Sequence, residues 1–389
     1  MKKGYLLKVG LVVLIVVWFV SAVWGADKTR FFAADSPQFQ YMGRVDVEHG
    51  KATYNWPGVT ISVDFSGRLL GIRLEGGERN YFNVWVDDYP AEVVHAVNDT
   101  VWWFPQRLSR GKHHLRLVKR TEADMGTATF YGLYLGAKEK LIQPVPLPDR
   151  KLLFIGNSIT CGYGTQGKDR SERFKPSTEN CEKSYATIIA RAFDAQYHLI
   201  SHSGLGMVRN YGDQEKRSEK RKPMPARLDY LLDNDSTKRY DLNDYQPDAI
   251  VINLGTNDFS TQPFPDETDF VEAGKALLYR LLVAYPGVKI FCITGPMTDE
   301  PAFTYTKRTV HEVRGETNSG GLVFVGVPLQ LMNPETDLGA DSHPSYRGQL
   351  KTAGMILPVM GTVLHWDFLM DEILPVIQSH RDGGGDSLF

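Results

Sequence analysis

Lys151-Leu152-Leu153-Phe154-Ile155-Gly156-Asn157-Ser158-Ile159-Thr160 decides how this chain is read. The run up to Ile155 is short and apolar, as a strand buried on both faces of a parallel sheet requires. Beyond it, helical and strand-like stretches alternate. Tyr185 to Phe193 has a helical pattern and Gln196 to Ser201 a strand pattern. Ala249 to Leu254 is an apolar strand and Phe270 to Ala284 a helix. Val288 to Ile293 and Leu322 to Val327 are strands, and Gln349 to Leu364 is a closing helix. Such alternation implies right-handed crossovers, and so a parallel sheet with helices on both faces. This α/β domain, three layers in α/β/α order, is expected at 150–375. A mobile tail at 376–389 follows, through Arg381-Asp382-Gly383-Gly384-Gly385.

Upstream of Leu147-Pro148-Asp149 the texture changes. Val59-Thr60-Ile61-Ser62-Val63, Tyr81 to Asp87 and His114 to Val118 alternate with period two, and Gly, Asp and Asn clusters separate them. Short alternating strands with turn signals between them predict an all-β sandwich at 27–149. No long stretch of helical period precedes Arg150.

The first 25 residues read as a secretory signal peptide. Lys2 and Lys3 precede an apolar run from Val9 to Trp24, and small residues at Gly25 and Ala26 suit cleavage. The run is also close to spanning length, so an uncleaved anchor is the competing reading. No Cys follows it to carry a lipid. Export to the periplasm or medium is expected, with no stable membrane insertion once the signal is cut. The chain has the composition of a soluble globular protein. A formal net charge of −2 gives no reason to expect nucleic acid as a partner. Export also permits a disulfide. Cys161 and Cys181 flank one loop after Ser158 and are candidates for a bridge, whereas Cys292 lies in an apolar strand.

Three islands carry the chemistry: Gly156 to Thr160, Gly255-Thr256-Asn257-Asp258 and Asp341-Ser342-His343-Pro344. They offer a nucleophile, an amide donor and a base, which ester cleavage needs when no metal takes part. Ser158 follows the first parallel strand at its carboxyl end, where open α/β sheets bind ligands. The same position suits a helix-capping serine. Asn257 follows a second strand end, and its amide can donate to an oxyanion or hold a turn. Gly204 follows a third, and the absence of a Cβ lets its N–H approach substrate. His343 precedes a proline and sits in a loop before the last helix, where its ring is free to face a cleft. Asp341, two residues earlier, is a candidate to orient the imidazole.

In this order and setting the islands resemble the SGNH (GDSL-type) esterases over about Lys151 to Leu364. The whole chain resembles carbohydrate esterase family 2 more narrowly. That likeness rests on Lys119-Arg120-Thr121-Glu122, the segment from Phe154 to Gly164, and Gly206-Met207-Val208-Arg209-Asn210-Tyr211-Gly212. The resemblance implies a jelly-roll domain joined to an SGNH hydrolase, and removal of acetyl groups from xylan, glucomannan and related sugars. It implies Ser158 as nucleophile and His343 as base. The N–H groups of Ser158 and Gly204 and the side chain of Asn257 would form the oxyanion hole. No cofactor or metal is called for, and the partner is an acetylated carbohydrate. Two positions depart from the common pattern. Asn157 replaces the usual Asp after the first glycine. The acidic residue stands two before His343 rather than three, and Ala340 occupies the usual place. Asp341 is still expected to partner His343, with a backbone carbonyl as the alternative.

Other signals are weaker. Gly162 to Lys168 approaches a phosphate-binding loop, but Asp169 stands where Ser or Thr would ligate Mg²⁺. Lys216 to Lys222 is a basic run of the kind usually solvated, with an acidic glycan as a lesser option. His113 and His114 are adjacent and point oppositely on a strand, and His311-Glu312 lacks a second His. Trp85, Trp102 and Trp103 are candidate sugar platforms from the first domain. One of the adjacent pair should face outward. Two rival functions remain: an esterase for lipid or thioester acyl groups, and a silent glycan-binding protein.

Overall fold

The structure, a computed structural model, describes residues 28–369. The expected signal peptide at 1–25 and the tail at 376–389 lie outside them. Residues 28–142 form two antiparallel sheets of six strands each. In one, strands run in the order 46–48, 51–54, 128–136, 71–75, 100–103, with 29–33 also pairing with 128–136. In the other the order is 141–142, 60–66, 112–119, 82–86, 92–94, with 40–42 beside 60–66. The alternation read from the sequence is the cause. Leu115 and Leu117 of one sheet and Ile72 and Leu74 of the other enter one buried cluster, while His114 and Arg73 point out. No α-helix occurs before Arg150 among the described residues.

The second part has a five-stranded parallel sheet. Its order is 195–201, 150–156, 249–253, 289–294, 322–326. The three inner strands are apolar on both faces, and successive residues serve opposite layers. Leu152 and Phe154 pack with the helices Tyr185–Ala192 and Tyr346–Leu364. Leu153 and Ile155 join Leu277, Leu278 and Leu281 of the helix Glu267–Ala284 and Val310 and Val313 of the helix Ala302–Thr317. Phe154 is fully buried, so truncating it to alanine would cost about 3–5 kcal/mol. The sequence pattern does not announce the helix Ala302–Thr317, because only Ala302, Thr309, Val310 and Val313 of it are buried.

The strand order places 150–156 between 195–201 and 249–253. The chain therefore runs from the first strand to one neighbour and then crosses to its other side, and the crevice opens at its carboxyl end. The two parts are joined by apolar and polar contacts. One buried cluster is continuous from Tyr54 and Trp56 through Met224 and Leu228 to Ile155 and Ile252. The buried Arg44 donates to the Tyr230 carbonyl at 2.6 Å and lies over the Tyr240 ring. Among the described residues, no helix is long and apolar enough to cross a membrane.

Candidate active site

Strand 150–156 ends at Gly156, and Asn157 then caps a single helical turn, Ser158–Cys161. The Asn157 side chain accepts the Ile159 N–H at 3.1 Å. Because Asn157 caps, the Ser158 hydroxyl is left for another partner. That partner is His343, whose Nε2 lies 2.9 Å from Ser158 Oγ. Gly156 has to be small here, since a Cβ would fall 2.0 Å from Thr160 Oγ1.

His343 is extended (φ −76°, ψ 157°), as the following Pro344 demands. Its Nδ1 lies 3.2 Å from the main-chain carbonyl of Asp341. A carbonyl only accepts, so Nδ1 carries the proton and Nε2 presents its lone pair to the Ser158 hydroxyl. The expected contact between the Asp341 carboxylate and the imidazole is corrected here. Asp341 and Ser342 both adopt left-handed conformations (φ 49° and 59°), which turn the Asp341 carbonyl toward the ring. The carboxylate instead accepts from the Phe174 N–H at 3.1 Å and the Tyr163 hydroxyl at 3.0 Å, and pairs with Arg173. Tyr163 also packs against the imidazole with ring centroids 4.2 Å apart, and is itself stacked on Phe174. This crowding pushes the His343 imidazole down to about 4, against the opposing pull of the Asp341 carbonyl and charge.

The three expected oxyanion donors lie at the carboxyl ends of adjacent strands. The N–H groups of Ser158 and Gly204 donate to no protein acceptor among the described residues. Gly204 has φ +77°, a conformation that favours glycine. Asn257 is buried and donates one amide hydrogen to the Leu205 carbonyl at 2.8 Å, which leaves the other to point elsewhere. Asp258 is a supporting residue that the sequence reading passed over. Its buried carboxyl accepts the N–H groups of Met207, Val208 and Arg209 at 2.8, 2.8 and 2.9 Å. It thereby ties the Gly255–Asp258 island to the loop that carries Gly204.

The remaining candidates resolve simply. Cys161, Cys181 and Cys292 are all free and buried, so the bridge considered for the first two is not formed. Cys161 instead lies against Ser201, and Cys181 against the Lys119 carbonyl. The Gly162–Lys168 loop packs on the His343 loop: a Cβ on Gly164 would meet Ala340 O at 2.7 Å. In the basic run, Lys216 and Arg217 pair with Asp266 and Asp269. His113 and His114 each bind a separate carboxylate, Asp87 and Asp64. Trp103 faces out and is 43% exposed, Trp102 packs on the core, and Trp85 lies under the Arg116 guanidinium.

Known proteins resemble this chain in sequence and in structure. Residues 41–146 match the family described as carbohydrate esterase 2 N-terminal, and residues 154–350 match the GDSL-like lipase/acylhydrolase family. The cellulase/esterase CelE of Acetivibrio thermocellus is 38% identical over 320 residues, covering 80% of this chain but only 38% of the length of that protein. An acetylxylan esterase/glucomannan deacetylase of Cellvibrio japonicus is 26% identical over 350 residues, covering 87% of this chain and 93% of that one. Among solved structures, a family two carbohydrate esterase from Clostridium thermocellum in complex with cellohexaose is 33% identical. It superposes with a TM-score of 0.76 over 84% of this chain and 99% of that one.

Proposed function

This chain belongs to carbohydrate esterase family 2, and on that premise we propose that it is an exported O-acetylesterase that deacetylates plant polysaccharides of the xylan and glucomannan type. The observation that carries the reading is the dyad itself. Ser158 Oγ stands 2.9 Å from His343 Nε2, while Nδ1 is held by the Asp341 carbonyl. The substrate class is supported by the names of the curated relatives, and export by the first 25 residues.

The reaction follows from this arrangement. Burial keeps the imidazole neutral at neutral pH, so Nε2 accepts the Ser158 proton as Oγ attacks the acetyl carbonyl. Negative charge then develops on the carbonyl oxygen, facing the N–H groups of Ser158 and Gly204 and the amide of Asn257. Each such donor is worth about 3 kcal/mol of barrier. The tetrahedral adduct collapses, His343 protonates the departing sugar oxygen, and Ser158 retains the acetyl group. Water, deprotonated by the same Nε2, releases acetate. The test is incubation with acetylated xylan and acetylated glucomannan, followed by NMR of the remaining acetyl groups. Wild type should strip acetyl signals while Ser158→Ala and His343→Ala leave them intact. Wild-type turnover by either variant, or no acetate from wild type, would overturn the reading.

A further inference from the structure

The loop that carries Gly204 is gripped from outside the hydrolase part. Glu122 belongs to the first part of the chain, just after the strand Lys112–Lys119. It is fully buried, and its Oε2 accepts the Ser203 N–H at 2.6 Å. The same oxygen lies 3.7 Å from Cys161 Sγ, in the turn that presents Ser158. Its main chain is anchored in turn. The Glu122 N–H donates to Glu179 Oε2 at 2.9 Å, and Lys119 Nζ donates to the carbonyls of Thr121 and Glu122 at 2.7 Å each.

What this grip controls is the direction of one N–H. The Ser203 carbonyl and the Gly204 N–H belong to one planar trans peptide, so they point in opposite directions. The Arg221 guanidinium donates to that carbonyl at 3.3 Å, and the Gly204 carbonyl accepts the Tyr211 N–H at 2.9 Å. Glu122 holds the remaining side, the N–H of Ser203. Without it the turn keeps only the Arg221, Tyr211 and Leu205 N–H to His202 carbonyl contacts, and the following peptide plane can tilt.

We propose that Glu122 is a positioning residue for the oxyanion hole: through its carboxyl the first domain sets the aim of the Gly204 N–H. The proposal rests on the assignment of Gly204 as an oxyanion donor. It gives the first domain a part in turnover without a role in binding glycan. The electrostatics are compatible with it. Burial and the adjoining Glu122 push the Glu179 carboxyl well above the usual carboxylate range.

The experiment compares Glu122→Gln, which keeps an oxygen acceptor at the same reach, with Glu122→Asp, which withdraws it by one carbon. Both are assayed on 4-nitrophenyl acetate, with active molecules counted by the end-point burst from diethyl 4-nitrophenyl phosphate and folding followed by thermal unfolding. Complete loss of one oxyanion donor costs about 10²–10³ in kcat, so a misaimed donor should cost about 10- to 100-fold. Glu122→Asp is expected to lose that much kcat per active site with KM within twofold, and Glu122→Gln to stay within threefold of wild type. The proposal fails if Glu122→Asp folds with wild-type kcat, or if Glu122→Gln is as impaired as Glu122→Asp. It also fails if the loss lies in KM, or if neither variant folds. Asn257→Ala, measured alongside, separates this outcome from failure of the oxyanion assignment. If that variant is harmless the hole itself is wrongly placed; if it is impaired while Glu122→Asp is not, only the role of Glu122 falls.

Discussion

Replacing Asp341 by asparagine tests whether the imidazole is held by a carboxylate or by the main chain. In a Ser-His-Asp triad this swap costs about 10⁴ in kcat, because the amide imposes the wrong tautomer. Here Nδ1 faces the Asp341 carbonyl at 3.2 Å, and that carbonyl is unaffected by the change. Asparagine tolerates the left-handed backbone at this position (φ 49°), and its side-chain oxygen can still accept from the Phe174 N–H and the Tyr163 hydroxyl. What is lost is one negative charge near the imidazolium that forms in the transition state. That charge is already shared with Arg173, whose side chain is 91% exposed. A solvent-screened charge interaction of this sort is worth about 1 kcal/mol, or about fivefold in rate. We therefore expect kcat/KM of Asp341→Asn on 4-nitrophenyl acetate at pH 7 to fall no more than about tenfold. A fall of about 10³ or more, with the unfolding midpoint unchanged, would show that the carboxylate orients the ring after all.

Further outcomes follow from the same geometry. The active imidazole is neutral, and burial lowers it to about 4, so kcat/KM should stay level down to pH 5 and reach half near pH 4. Asp341→Asn should move that acid limb lower still; a wild-type limb at 6.5 or above would contradict the lowered imidazole. The depressed group also means that the unfolded chain binds more protons than the native state between about pH 6.5 and 4, so stability should decline with acid through that window. Asn257→Ala should reduce kcat by about 10²–10³ on acetylated substrates with little change in KM. An equal rise in KM with kcat kept would assign the amide to ground-state binding instead.

The layered architecture was legible because it is written in local patterns. The apolar runs at Leu152–Ile155, Ala249–Asn253 and Ile290–Ile293 are buried on both faces, and period-two alternation marks the strands 60–66, 82–86 and 112–119. The helix Ala302–Thr317 escaped notice because a helix lying on a sheet edge needs few apolar residues. Ser158 and His343 were nameable from their islands, since each follows or precedes an element whose end faces the crevice. Glu122 was visible only as part of a resembling segment, because nothing local links it to Ser203, 81 residues away.

Residue type and order determined which groups this protein brings to its crevice. They did not determine which atom meets the imidazole. That choice depends on two consecutive left-handed residues, Asp341 and Ser342, which aim a main-chain carbonyl at Nδ1 and send the carboxylate to Tyr163 and Phe174. Backbone dihedrals in a loop are set by what the loop packs against, here the Gly162–Lys168 segment and Glu172. Those partners are assembled only when the chain folds, so the orientation of the base belongs to the tertiary structure.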